Sequence, residues 1–269
     1  KFGAGDMKAM RQTVGGAAVL TTIVTIILTT LGLLFMKPLL IFMKTPSDIF
    51  KDAYAYIMII CAGIAAQMLY NLMASILRAL GNSKVPLYFL ILSALLNIAL
   101  DLLLIIVFGL GASGAAYATV IAQGISGLLC LVYVKLKVPL LHLERDDWRP
   151  KGHLLKMQFA VGVPMALQYS ITAIGTMMVQ TSQNLLGSNI VAAFTAASKI
   201  EQVVTQAYVA LGTTMATYCA QNIGAGKIKR IRKGFKSATI MASIYAVVTA
   251  ALIMTVGKYM TYLFVSDNV

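Results

Sequence analysis

The chain has 269 residues, 59% of them hydrophobic and only 12% charged, with a formal net charge of +13. An average soluble domain carries about twice that share of charged residues, so an ordinary globular protein is excluded. The basic residues collect in short loops between long apolar runs, which makes nucleic-acid binding a poor account of the net charge.

Crossing the hydrocarbon core as a helix takes roughly 20 apolar residues. Seven runs qualify, at 14–36, 53–77, 86–108, 112–134, 159–186, 189–221 and 237–257. None shows the period-two alternation of a membrane barrel strand. The fold class expected is therefore all-α, a polytopic helical membrane protein with seven spans in this chain.

Taken in order, the chain opens with Gly3-Ala4-Gly5, followed by Lys8 and Arg11, ahead of the first span. The second span carries Gln67, Asn71 and Ser75 at four-residue spacing, and Gly81-Asn82 before Pro86 marks the turn out of it. Ser93, Asn97 and Asp101 repeat that spacing in the third span. Asp101 reads either as a cation site, with Asn97 beside it, or as a structural carboxyl bonded to the Gly109–Gly114 turn. In the fourth span Ala115, Ala116 and Ala118 continue the small residues of that turn, which lets helix backbones approach closely.

Residues 135–158 form the one long linker, holding six Lys/Arg, both histidines and the single tryptophan. His142 and His153 sit in a charged loop without cysteine, and a solvated linker explains them better than a metal site. Trp148 reads as an interfacial anchor. The domain expectation is 1–134 for an N-terminal lobe of four spans, 135–158 for a cytoplasmic bridge, and 159–269 for a C-terminal lobe of three.

The fifth span has Pro164, which predicts a kink, and a stripe of Gln168, Thr172, Thr176 and Gln180. This stripe reads as a cavity wall. The sixth span is the richest in polar groups. At about 100° per residue, Ser198, Lys199, Glu201, Thr205 and Tyr208 share one half of the helix surface, with Ile200, Val203, Val204 and Leu211 on the other. An intramembrane carboxylate costs about 2.5–3.5 kcal/mol on insertion scales, so Glu201 is read as a cation-coupling residue, with Ser198, Thr205 and Tyr208 as oxygen donors beside it and as part of the substrate-cavity wall. The alternative is a helix that starts near Gln202 and leaves both charges at the outer surface.

Gly224-Ala225-Gly226, with Lys229 and Arg232 behind it, repeats the opening motif at a single offset. Six spans lie between the copies, so both loops face one compartment. Two halves of like topology are the construction this implies. Loops 1–12, 78–86, 135–158 and 222–236 hold most of the Lys/Arg, and only Lys37, Lys44, Lys51 and Lys258 fall on the other side. That bias places the basic loops in the cytoplasm. No phosphate-binding loop follows Gly224-Ala225-Gly226, no nucleophile–base pair is evident, and Cys61, Cys130 and Cys219 lack ligand spacing.

Several strings together resemble one family. Arg78-Ala79-Leu80-Gly81-Asn82-Ser83-Lys84-Val85-Pro86 is similar to the loop after the fourth helix of MATE (multidrug and toxic compound extrusion) transporters. Asn97-Ile98-Ala99-Leu100-Asp101 and Gly111 to Thr119 resemble their fifth and sixth helices. Gly162-Val163-Pro164, Lys199-Ile200-Glu201 and Gln221 to Gly226 resemble their seventh helix, eighth helix and the loop that follows. The resemblance implies a twelve-helix protein of two pseudo-symmetric six-helix lobes, of which this chain would cover the third to ninth helices. It implies a secondary antiporter, not an enzyme, exporting organic cations or drugs against Na⁺ or H⁺ by alternating access. The expected setting is a monomer in the plasma or inner membrane with no other cofactor. Glu201 matches the eighth-helix carboxylate used for coupling in part of the family. A lipid-linked sugar flippase of the same superfamily is the alternative, and a seven-helix receptor is the alternative of a different class.

Overall fold

A computed structural model describes residues 1–42, 45, 47–149, 151–184 and 188–261; the side chains of 48, 180–181, 184, 188–193, 196 and 257–261 are outside the description. Every regular element among them is helical. The long helices are α1 (Met7–Phe42), α2 (Ser47–Ala62), α3 (Ile64–Ala79), α4 (Lys84–Asp101), α5 (Gly111–Lys137), α6 (Gly152–Asn184), α7 (Ser188–Gly224) and α8 (Ile228–Thr261). Five helices, α1, α4, α5, α6 and α8, are long and apolar enough to cross a membrane, and α2 with α3 makes a sixth, bent pair. At 37 residues α7 has the length without the uniform apolarity. The expected second span is thus two helices meeting at 45° rather than one straight helix.

Two compact units divide the chain, Met7–Lys156 and the segment from Met157 onward together with Lys1–Asp6. In the first unit α5 is the central helix, packed by α2, α3 and α4. Its inward face is a run of small residues, with Gly114, Ala118, Ala122, Ser126, Gly127 and Cys130 all buried. Large apolar residues point the other way, as Ile106, at 71% exposure, does on the neighbouring helix. That inverted pattern suits a protein in lipid, where close backbone packing holds helices together and apolar side chains face the tails. A methyl on Gly127 would lie 3.1 Å from the Tyr70 amide nitrogen, and one on Gly63 would collide with Val120. The α2–α3 break is therefore seated directly on α5.

The turn at Gly81, with φ 86°, is in the left-handed region. Asn82 Oδ1 accepts from the Val85 amide at 3.2 Å, and Tyr70 Oη donates to the Pro86 carbonyl at 3.0 Å, tying α3 to the start of α4. At its other end α4 widens into a π-helical segment, Leu102–Val107. The linker is not a free solvated loop. Its turn at Arg145–Trp148 packs on α1, where Asp147 is 4% exposed and lies 3.3 Å from Arg11 Nε. Gly15 admits this contact, since a methyl there would meet the Asp147 carbonyl.

In the second unit α7 packs on α8 and, at its far end, on the opening turn Phe2–Ala4. Here the sequence repeat becomes a structural one. Gly5 and Gly226 have φ of 71° and 69°, and each N–H donates at 3.0 Å to the carbonyl three residues back, Phe2 and Ile223. Helices α1 and α8 then begin at matching positions. Gly3 and Gly224 let the two copies touch, because a methyl on Gly3 would collide with the Gln221 carbonyl. Helix α6 runs from Gly152 to Asn184 through Pro164, and α1 likewise contains Pro38.

Candidate functional site

The third-span stripe faces inward. Ser93 is buried and Asn97 and Asp101 are half-buried on the side of α4 that packs against α5. Asn97 Nδ2 lies 3.4 Å from Thr119 Oγ1, a long hydrogen bond that joins the two helices, while Thr119 donates to the Ala115 carbonyl at 2.9 Å. Around this pair is a cavity of about 130 Å³ lined by Ser93, Asn97, Thr119 and Gln123 together with Leu90, Ala94 and Ala122. Gln123 Oε1 and Asp101 Oδ1 are both buried and accept no hydrogen bond from the described residues. Asp101 lies one helical turn beyond Asn97 on the same face.

No hydrogen bond joins Asp101 to the Gly109–Gly114 turn among the described residues. Around that turn Phe108 N–H donates to Leu103 at 3.1 Å, Leu110 N–H to Leu104 at 3.0 Å and Gly114 N–H to Leu110 at 3.3 Å. The Leu103 bond spans five residues and belongs to the π segment, which ends α4 just past the carboxylate. A buried acceptor left without a donor carries a desolvation cost of about 1–3 kcal/mol, more when it is charged. A cation or a proton at Asp101 removes that cost. Asp101 is not part of the cavity lining, so the carboxylate and the Asn97–Thr119 pair are neighbours along α4 rather than one shown set of ligands.

Glu201 has a different environment. Helix α7 starts at Ser188, so the carboxylate is well inside it rather than at a fraying end. Glu201, Lys199 and Thr205 are exposed and Ser198 is half-buried. Neither charged group has an ion-pair or hydrogen-bond partner among the described residues. Part of the apolar half of α7 seats on α8: Ile200 is buried, Tyr245 Oη donates to the Val204 carbonyl at 3.0 Å, and Tyr208 meets Tyr245 edge-on at 5.2 Å, while Val203 is left exposed. Tyr208 thus belongs to the α7–α8 seam as much as to the polar half.

On α6, Gln168, Thr172 and Thr176 are exposed, and both threonines donate back to their own helix, to Gln168 at 2.9 Å and Thr172 at 3.0 Å. The Gln180 side chain lies outside the described residues. Helices α6 and α7 do not pack along one another among the described residues, so the structure does not join their two polar stripes into one wall. The third-span residues are brought together, and the fifth- and sixth-span residues are not.

Thr119 and Gln123 were not singled out from the sequence as site residues. Their signal is spacing, two polar side chains four apart on an otherwise small and apolar face, but which helix they meet is a tertiary fact. No group of three His, Cys, Asp or Glu side chains among the described residues is placed to hold a metal.

These features define a class, a polytopic helical membrane protein with polar side chains set between tightly packed spans. The chain belongs to the MatE family, whose model matches residues 1–103 and 160–269. It is 34% identical over 98% of its length to the "Probable multidrug resistance protein YpnP" of Bacillus subtilis, covering 59% of that protein. A second relative from the same organism, the "Probable multidrug resistance protein YoeA", is 28% identical over 99% of this chain and 59% of its own. A crystal structure of a MATE protein in complex with MaL6 superposes with a TM-score of 0.93 at 23% identity, over 99% of this chain and 60% of that one. The fold is shared with that structure. The chain spans about three fifths of the length of the curated relatives it matches. Its family is one of multi-pass membrane transporters, not of enzymes.

Proposed function

We propose that the full-length protein is a secondary antiporter that exports organic cations and drugs in exchange for Na⁺ or H⁺. The observation that carries this reading is the Asn97–Thr119 cluster with the unpartnered Asp101 oxygen beside it. A carboxylate between spans is costly when bare and stabilised when a cation or proton neutralises it. Two orientations of the protein that hold Asp101 differently bind that cation with different affinity, and only such a difference can shift their populations. Substrate binding that favours the opposite orientation then couples outward export to inward cation movement. Family membership supports small amphiphilic substrates, and the repeated Gly-Ala-Gly turns support two lobes of like topology bridged by 135–158. The protein works as a monomer in the cell membrane with its basic loops in the cytoplasm.

Glu201 is the second coupling position, in the other unit. Its exposed setting makes it a surface for solvent or substrate rather than an enclosed ion site. Gradient-driven transport of ethidium by the full-length protein in proteoliposomes separates the two. Asp101→Asn is expected to abolish the response to an imposed Na⁺ or pH gradient, and Glu201→Gln to reduce it by less. Loss confined to Glu201→Gln moves the coupling site to α7. Full gradient-driven transport in both variants defeats the reading.

A further inference from the structure

The first unit holds a second, larger cavity of about 480 Å³ at the end where the basic loops lie. Its walls are Val14 and Ala18 at the start of α1, Met73 near the end of α3, Leu131 and Lys135 near the end of α5, and Trp148 of the linker. The interior is almost wholly apolar, while its mouth is basic. Lys135 is the charged residue of the lining, and its ammonium has no ion-pair partner among the described residues. His142, also at the wall, donates through Nε2–H to the Lys135 carbonyl at 2.8 Å, which holds the linker across the opening. Lys137 follows at the end of α5 and Arg145 in the linker turn. The acidic groups nearby are already committed, Asp147 and Glu144 to Arg11 at 3.3 and 4.0 Å, and Asp146 to Arg149 at 3.8 Å.

A half-open apolar hollow at the basic-loop end, with an ammonium in its wall that has no ion-pair partner among the described residues, matches one kind of molecule, an amphiphile with a hydrocarbon tail and an anionic head. We propose that this cavity binds one acyl chain of an anionic phospholipid from the leaflet on the side of the basic loops, with the phosphate on Lys135. Basic pockets between spans recognise anionic headgroups in this way. The same charge disfavours an organic cation, so this site is separate from any path for such substrates. The linker forms part of the wall, so a bound lipid packs it against α1, α3 and α5.

Trp148 lines the cavity and is half-exposed, which makes it the probe. The full-length protein in mild detergent is titrated with brominated phosphatidylglycerol or brominated phosphatidylcholine. The Trp148 signal is taken as the difference from Trp148→Phe. Quenching by the anionic lipid should occur at about fivefold lower concentration, the factor that matches about 1 kcal/mol per basic residue. Lys135→Gln should erase that preference while leaving overall quenching. Ala18→Phe, which fills the hollow, should abolish quenching by both lipids. Equal quenching of the wild type by the two lipids overturns the proposal. So does relief of quenching by inorganic phosphate alone, which would make this a phosphate site, or by ethidium, which would make it a substrate site. Should Ala18→Phe fail to fold, the surface variant Lys135→Gln decides the matter alone.

Discussion

Arg11 shows how a residue that looks like topology in the sequence acquires a structural task. It is one basic residue of an inside-type loop, yet its guanidinium reaches Asp147, which is only 4% exposed. The aspartate also accepts from the Glu144 amide at 3.1 Å, so one carboxylate both caps the linker turn and ties it to α1. Removing only the cation leaves a buried charge with the Glu144 amide but without a counter-charge. Arg11→Leu should therefore lower stability by about 3 kcal/mol, the low end for half of a buried pair because Arg11 keeps some access to water. Thermal unfolding in detergent measures this, and the double change Arg11→Leu with Asp147→Leu should recover much of the loss. A melting temperature unmoved by the single substitution would sink this account. The sites were legible to different degrees. Asn97 and Asp101 stood out because polar residues four apart in an apolar run must share a face. Thr119 and Gln123 did not, since only the packing of α4 on α5 gives them meaning. Glu201 was legible as a costly residue, but its exposure and its lack of a partner were not.

At the scale of elements, the helices follow from apolar run lengths, and the departures follow from crowding at single positions. The second run is long enough for one straight span, and a lone glycine in such a run is tolerated in a helix. The break falls at Gly63, where α5 brings Val120 so near that only a residue without a side chain fits, a contact no local pattern contains. The linker looked solvated for a similar reason: its charge was visible, while its partner on α1 was distant in sequence. The two Gly-Ala-Gly turns were legible as a repeat, and their shared conformation gives a matched test. A methyl on Gly5 or on Gly226 would meet nothing within 4 Å, so any cost comes from the left-handed backbone alone. Gly5→Ala and Gly226→Ala should each cost about 1–2 kcal/mol. Gly212 is mid-helix with open space around it, and Gly212→Ala should stabilise by up to about 1 kcal/mol. Gly3→Ala should cost more than any of these, because its methyl would strike the Gln221 carbonyl. Melting temperatures of the four variants rank them, and a Gly5→Ala loss unlike that of Gly226→Ala would break the claim of equivalent turns.

For the whole molecule the open question is parity, and α7 holds the answer. Its polar half keeps it from matching the apolar helices on composition, yet the repeat requires an even number of crossings between the two copies. The same requirement places the loop after α5 and the loop after α7 on one side, separated by α6 and α7. The charge bias agrees, since Lys137 and Lys229 both belong to basic loops while Lys51 lies beyond the first span. Basic residues resist translocation, so those loops should stay on the cytoplasmic side. Cys61 and Cys130 are buried, and Cys219 is half-buried, so a Cys219→Ser background gives low labelling from within. In that background Lys51→Cys, Lys137→Cys and Lys229→Cys are introduced singly into the full-length protein. Intact cells are then treated with a membrane-impermeant maleimide. Lys51→Cys should react in intact cells, and Lys137→Cys and Lys229→Cys only after permeabilisation. If Lys229→Cys reacts from outside while Lys137→Cys does not, then α6 and α7 cross an odd number of times. Helix α7 would then lie along the membrane rather than through it, and Glu201 could not sit within the hydrocarbon core.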